Sequence, residues 1–295
     1  MNYIATFVSQ ALVQSAVLET VRSILPGARD VVWLAEGGAA DISFASDSPI
    51  DQRALAARLR ETVVPGVDII VQPAAGRRKK LFLADMDSTM IGQECIDELA
   101  AYVGLKEHVA GITERAMRGE VAFEPALRER VALLKGLRVS VVDEVIEKHI
   151  TLTPGARTLV ATMRAHGART CLVSGGFTLF TSRIAAMIGF DETHANRLTI
   201  EGDRFAGTAE EPIFGRASKL ETLRRLRTQF GLAREETLVA GDGANDLEMI
   251  LEAGLGIAYH AKPKVAEAAA ARIDHADLTA LLYAQGYRRE EFVEI

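Results

Sequence analysis

Two short apolar runs, each emptying into a cluster of carboxylates, constrain what this chain can fold into. Leu81-Phe82-Leu83-Ala84 leads straight into Asp85-Met86-Asp87-Ser88-Thr89, and Thr237-Leu238-Val239-Ala240 leads into Gly241-Asp242-Gly243-Ala244-Asn245-Asp246. Short apolar runs bounded by turn formers read as buried strands. In α/β proteins the chemistry gathers at such strand ends, so the two acidic loops are expected to meet. Where a strand runs out the chain can splay, so one of Asp85 and Asp87 can attack while the other stays within proton-transfer reach. Alone, Asp-x-Asp is a common solvated turn. The second cluster changes the reading, because its glycines permit close backbone approach and Asp242 and Asp246 offer the hard oxygens that Mg²⁺ prefers.

Two further parts of a phosphate site lie between the clusters. Ala168 to Val173 reads as a strand, and Ser174-Gly175-Gly176 follows it with a hydroxyl and with N–H groups able to approach phosphate oxygens. Lys219 stands near the start of a helical stretch from Ala217 to Arg227. One lysine among 34 Lys and Arg gains meaning only from its place in this order.

The order, Asp-x-Asp-x-Thr, strand-end Ser, Lys, then Gly-Asp-Gly-x-Asn-Asp, resembles the haloacid dehalogenase superfamily of aspartate-nucleophile phosphotransferases, over residues 81 to about 285. DMDSTMIGQE at 85–94, RERVALLKGL at 128–137, VSGGF at 173–177 and GDGAND at 241–246 are similar to the phosphoserine phosphatases within it. The resemblance implies Mg²⁺-dependent hydrolysis of O-phospho-L-serine, the last step of L-serine biosynthesis, with one Mg²⁺ per site. Asp85 would be the nucleophile that forms an aspartyl phosphate and Asp87 the general acid and base. Asp85, Asp242 and the backbone carbonyl of Asp87 would hold the metal, with Asp246 at the edge of its shell. Ser174, Gly175, Lys219 and Asn245 would hold the phosphate. Glu94 and Arg130 match the positions that take the substrate ammonium and carboxylate, and Met117 and Phe123 match positions lining the pocket. Read from the residues alone, Glu94 is an acidic group at a helix start, Arg130 one of several surface arginines, and Met117 and Phe123 plain core. Two other readings stay open: a related phosphatase or phosphotransferase for another small phosphorylated metabolite, and an amino-acid sensor with a degenerate catalytic half.

The 295 residues have room for two domains, and the apolar content of 48% suffices to build their cores. No apolar run approaches the length of a membrane span, and a net charge of −6 speaks against nucleic acid as a partner. MNYIATFVSQ lacks the basic region of an export signal, so the cytoplasm is the expected location. Cys95 and Cys171 match no metal-binding spacing and read as small buried hydrophobes. Arg77-Arg78-Lys79-Lys80 reads as a solvated linker.

Residues 1–73 read as a βαββαβ unit: strands at 3–8, 31–35, 41–44 and 67–71, helices at 12–25 and 52–63. It resembles ACT-like regulatory domains in topology but lacks their Asp-x-Pro-Gly-like turn after the first strand, so a dimerising or structural role is equally expected. Its edge strands predict a homodimer. With 74–80 as linker, residues 81–295 would form the phosphatase domain, separable near Arg77. In it, 91–150 would be an inserted cap of helices at 95–102, 107–117, 123–135 and 141–150. Alternating signals follow: strand 168–173, helix 178–188, a hairpin over 195–213, helix 217–230, strand 237–240, helix 246–252, strand 255–259 and an alanine-rich helix at 265–271. The predicted class is α/β, a doubly wound and mostly parallel sheet with a helical cap, plus the N-terminal ferredoxin-like domain.

Overall fold

A computed structural model describes all 295 residues. The chain opens with β1 (Asn2–Ser9), α1 (Ser15–Ile24), β2 (Val31–Ala35), β3 (Ala39–Ala45), α2 (Gln52–Arg60) and β4 (Val67–Pro73). These strands form one antiparallel sheet in the order β2-β3-β1-β4. Alternation along the strands gives the sheet two faces. Tyr3, Ala5 and Phe7, with Ile42, Phe44, Ile69 and Val71, pack under Leu18 and Val21 of α1 and Leu59 of α2. The residues between them, Val8, Ala39 and Ile70, belong instead to the apolar cluster of the larger, C-terminal half.

That half is built on β5 (Leu81–Ala84). Four helices follow it, α3 (Cys95–Ala101), α4 (Lys106–Met117), α5 (Phe123–Ala132) and α6 (Val141–Lys148), at the positions expected of a cap. Then come α7 (Ala156–Ala165), β6 (Arg169–Phe177), α8 (Thr178–Ile188), β7 (Glu192–Asn196), β8 (Leu198–Glu201), β9 (Arg204–Ala209), α9 (Arg216–Gln229), β10 (Thr237–Gly241), α10 (Leu247–Glu252), β11 (Leu255–Tyr259), α11 (Pro263–Ala268), β12 (Ala271–Ile273) and α12 (Ala280–Ala284). Six strands form a wholly parallel sheet in the order β12-β11-β10-β5-β6-β7. From β5 the chain builds outward first through β6 and later through β10, so the strand order reverses at β5. That reversal opens the crevice in which such sheets bind ligands.

Three expectations are corrected. The hairpin over 195–213 is confined to β8 and β9, because Glu192 to His194 extend the main sheet by pairing in parallel with Cys171 to Val173. The helix at 265–271 stops at Ala268, since Ala271 to Ile273 are drawn into the sheet edge beside Ile257 to Tyr259. Helix α7 was not among the expected elements, although it buries Leu159, Val160 and Met163 at helical spacing. No helix is long and apolar enough to cross a membrane.

The basic stretch is not a wholly solvated linker: Arg78 and Lys80 are exposed, but Arg77 and Lys79 are largely buried. Lys79 is 6% exposed and donates to the carbonyls of Gly76 (2.8 Å) and Glu235 (2.7 Å), and burial lowers its pKa to about 8. Arg78 lies over the Tyr287 ring at 3.8 Å. The Arg77 guanidinium donates to Asp41 Oδ1 (2.8 Å) and Thr6 Oγ1 (2.8 Å) on the N-terminal sheet, and to the carbonyls of Tyr283 (2.9 Å) and Ala284 (2.8 Å). Nearby, the buried Asp68 carboxylate accepts from the N–H groups of Asp274 (2.8 Å), His275 (3.1 Å) and Ala276 (2.8 Å).

Removing one partner of a buried ion pair leaves the other charge unpaired, which costs far more than losing an exposed pair. Arg77→Ala should therefore lower the unfolding free energy in urea by about 3 kcal/mol or more. Arg22→Ala, which breaks only exposed pairs, should lose under about 1 kcal/mol. Equal small losses would show that the two halves do not depend on this contact.

Candidate active site

Because β5 lies between β10 and β6, the residues that leave these three strands emerge side by side. Ala84 is in register with Ala240 on one flank and with Leu172 on the other. Asp85 follows Ala84 and donates its N–H to the Ala240 carbonyl at 3.0 Å, so the strand pairing itself fixes the backbone of this carboxylate. Asp242 and Asp246 arrive from β10, and Ser174 from β6. The two sequence clusters thus meet: Asp85, Asp242 and Asp246 have oxygens within 4.8 Å of one another.

Lys219, on α9, is fully buried among them. Its Nζ lies 2.7 Å from Asp85 Oδ1 and 2.7 Å from Asp246 Oδ1. Burial works against its charge, yet the Asp246 and Asp85 carboxylates outweigh that and hold the ammonium above its ordinary pKa. Asp246 spends its other oxygen on the Gly243 N–H (3.1 Å), so both of its oxygens are engaged by the protein. Asp242 accepts from Thr89 Oγ1 at 3.3 Å. Burial and the neighbouring Asp246 push the Asp242 carboxyl up to about 7, and burial first, then Asp246, raises Asp85. One ammonium against three buried carboxylates leaves the cluster short of positive charge. Asn245 Oδ1, buried beside it, has no donor. An all-oxygen donor set with deficient positive charge fits a hard divalent cation such as Mg²⁺.

The second carboxylate is placed by a turn. Ser88 adopts φ 55°, which swings the chain back after Asp87 and lets its Oγ donate to Glu94 Oε1 at 2.7 Å. Asp87 Oδ1 accepts the Cys95 N–H at the start of α3 (3.0 Å), and Asp87 Oδ2 accepts from Ser174 Oγ (3.3 Å). Burial is the largest influence on Asp87 and raises its pKa. Strand β6 does not end at Val173 as expected. It continues to Phe177, and four residue steps on β6 match two on β7, so Ser174-Gly175-Gly176 bulges out of the ladder. Gly176 N–H donates to Ser174 Oγ (2.9 Å). The Gly175 carbonyl is tied by Asn196 Nδ2 (2.9 Å). A Cβ on Gly175 would sit 2.6 Å from the Phe123 ring, and one on Gly176 would sit 2.9 Å from Asp87 Oδ2. A side chain at Gly175 would displace the Phe123 ring, and one at Gly176 the Asp87 carboxylate.

The cap closes over these groups. Asp85, Asp87, Glu94, Met117, Phe123, Arg130, Gly175 and Asn245 all line one cavity of about 20 Å³, room for little more than one water. Outside it lies a groove of about 640 Å³ that shares Phe123 and Asn245 with the cavity wall. Backbone also joins cap to core, with Ala244 N–H donating to the Met117 carbonyl at 2.9 Å. Arg130 is 2% exposed, not a surface arginine. It donates to the Ala126 carbonyl (3.0 Å) and Thr113 Oγ1 (2.8 Å), and Thr113 donates in turn to Asp97 Oδ1 (2.7 Å). No carboxylate comes within ion-pair distance of its guanidinium, although burial opposes its charge. Sequence reasoning missed Thr113, Asp97 and Asn196, which touch the site only through Arg130 and Gly175. Ser88 was within the recognised motif but was given no role.

A family model for haloacid dehalogenase-like hydrolases matches residues 82–251. The chain is 44% identical over 233 residues to a phosphoserine phosphatase of Streptomyces coelicolor, covering 78% of this chain and 57% of that one. It thus spans little more than half the length of that relative. A HAD-family hydrolase from Salmonella enterica serovar Typhi superposes with a TM-score of 0.84 at 28% identity, over 96% of this chain and 98% of that one. A phosphoserine phosphatase solved as a phospho-aspartyl intermediate analogue superposes with a TM-score of 0.67 at 39% identity, over 70% of this chain and 98% of that one.

The charge deficit has a consequence for stability. An unfolded Asp releases its proton near 3.8, whereas Asp242 in the fold holds it to about 7. Between those values the native state binds more protons than the unfolded one, so this group's contribution to stability falls as pH rises and is flat above the window. In EDTA, the melting temperature should fall more steeply from pH 4 to pH 7 in the unmodified protein than in Asp242→Asn. Mg²⁺ added at pH 8 should restore more stability to the former. Parallel pH profiles for the two proteins would show that Asp242 carries no such strain.

Proposed function

The chain belongs to the haloacid dehalogenase-like hydrolase family, and from that premise we propose that it hydrolyses O-phospho-L-serine to L-serine and phosphate, as the last step of L-serine biosynthesis in the cytoplasm. The observation that carries the substrate choice is Arg130, a buried guanidinium without a carboxylate partner, lining the same cavity as Asp85 and Glu94. A phosphorylated amino acid brings the missing carboxylate. It also brings an ammonium, for which Glu94, steadied by Ser88, is the anion.

The chemistry follows from the positions of the groups. An Asp85 oxygen attacks phosphorus in line as the bond to the serine oxygen breaks, leaving an aspartyl phosphate. Asp87, raised by burial, is the acid that gives its proton to the departing oxygen. The same carboxylate then takes a proton from the water that attacks phosphorus, which frees phosphate and regenerates Asp85. Ser174 Oγ, the Gly175 N–H and Lys219 hold the phosphoryl oxygens, and Asn245 offers an amide at their edge. Asp85, Asp242 and the Asp87 carbonyl are the donors for Mg²⁺, which when bound supplies the positive charge that lets one anion approach another. With both oxygens engaged, Asp246 serves chiefly to orient Lys219. Met117 and Phe123 shape the apolar wall, and cap opening admits the substrate.

We further propose that the protein is a homodimer. In the N-terminal sheet β4 is covered by the C-terminal half, while β2 is the free edge. Sedimentation velocity over a range of concentrations tests this, and a monomer throughout would refute it.

Phosphate release from a panel of phosphorylated small molecules, with Mg²⁺ or EDTA and with or without an acceptor alcohol, tests the activity directly. Asp85→Asn should be inactive, and Asp87→Asn slower by about 10² to 10⁴. Arg130→Ala and Glu94→Gln should damage phosphoserine turnover far more than that of an ester lacking both charged groups. Thr113→Val should follow Arg130→Ala in this selectivity, more weakly. Full turnover in Asp85→Asn would sink the covalent route, and equal losses on both substrates would sink the assignment of Arg130 and Glu94.

A further inference from the structure

Cys171 and Glu192 to His194 lie some twenty positions apart in the chain, with no metal-binding spacing between them. Parallel pairing brings them together. Cys171 is in register with Glu192, and Val173 with His194, so all four side chains project from the same face of the sheet. On that face Cys171 and Val173 pack with Leu223 and Leu226 of α9. The result is a thiol, a carboxylate and an imidazole whose donor atoms lie within 4.8 Å of one another, a group that shares no residue with the carboxylates at the strand ends. His194 Nε2 is already 3.2 Å from Glu192 Oε1.

We infer that Cys171, Glu192 and His194 form a second metal site, for a borderline-soft divalent cation of the Zn²⁺ class. Sulfur and imidazole donors select such an ion over Mg²⁺. Bonds of about 2.0 to 2.3 Å place neighbouring donors of a tetrahedral site roughly 3.3 to 3.8 Å apart. Closing the triad to that spacing takes small rotamer changes in Glu192 and His194. Their side chains are 38% and 37% exposed on the outer strand, held there by Arg225 and, for His194, by stacking on Phe214. The same exposure gives the ion its way in and leaves a fourth position for water. Cys171, 1% exposed, is the fixed donor at the floor. Binding replaces the thiol S–H bond with a metal–sulfur bond and releases the proton to solvent.

The group in competition is Arg225, on α9. Its Nη2 stands 3.1 Å from His194 Nε2 and 3.4 Å from Glu192 Oε1, where the cation would sit. The Arg225 side chain is 47% exposed and has a second partner in Gln229, so it can swing away. Arg225 thus sets the affinity without supplying a ligand.

Co²⁺ is the probe, added to the 295-residue protein in saturating Mg²⁺ so that the strand-end carboxylates are occupied. The site predicts a thiolate-to-cobalt charge-transfer band in the near ultraviolet, with the intense visible bands of tetrahedral Co²⁺, and their loss on adding Zn²⁺. Cys171→Ser should abolish the charge-transfer band, His194→Ala should weaken cobalt binding, and Cys95→Ser should leave both unchanged. Arg225→Ala should bind more tightly. His194 is half-exposed, so its variant tests the site even if Cys171→Ser fails to fold. The inference is overturned by the absence of the charge-transfer band in the unmodified protein, by its persistence in Cys171→Ser, by its loss in Cys95→Ser, or by unchanged cobalt affinity in His194→Ala.

Discussion

One ammonium between two buried carboxylates is the contact on which the rest of the site depends. Lys219 is fully buried with Asp85 and Asp246 each 2.7 Å away. A charge removed from water is tolerated only when its partners are close and fixed. Here the fixing is done by backbone: Asp85 by its place directly after β5 and its bond to the Ala240 carbonyl, Asp246 by the Gly243 N–H. The parallel sheet is thus more than a scaffold. A slip of one residue between β5 and β10 would turn Asp85 to the other face and leave Lys219 with a single partner.

Much of this was legible in the sequence for a physical reason. Asp85, Asp87, Ser174, Asp242 and Asp246 each follow an apolar run whose length and flanks announce a buried strand, and strand ends in such folds converge. Lys219 carried no local signal of that kind; its order relative to the other motifs singled it out. Arg130 was ambiguous, because a helical arginine looks the same from the sequence whether it faces solvent or a cavity. Thr113 and Asp97 were illegible. They come from two different helices and matter only through the third residue that they hold, a relation that no one-dimensional spacing encodes.

The misread boundaries share a cause. Glu192 to His194 and Ala271 to Ile273 are short and locally unremarkable, yet both become outer strands of the main sheet. A strand of three to five residues owes its conformation to the neighbour that offers it hydrogen bonds, and local propensity is outvoted. The Ser174-Gly175-Gly176 bulge has the same origin. The ladder resumes at Phe177, so the glycines look like the end of a strand when they are an interruption within it.

The N-terminal domain is where the basic tetrapeptide misleads most. Four adjacent cations between two domains suggest a solvated tether, but Arg77 and Lys79 are consumed by carbonyls and carboxylates, and Asp68 caps the segment that follows β12. From that segment the bonding runs inward. The His260 N–H donates to the Ile273 carbonyl (2.8 Å), and the Lys262 N–H to the Asp242 carbonyl (3.0 Å). The N-terminal sheet is therefore joined by consecutive hydrogen bonds to the backbone of a candidate metal ligand. Such a chain transmits a signal only if some member has a second arrangement that a ligand can favour. Each of these groups has its partner in the one arrangement described. The connection accordingly acts as a brace: it ties the backbone of Asp242, through the sheet edge, to the N-terminal sheet.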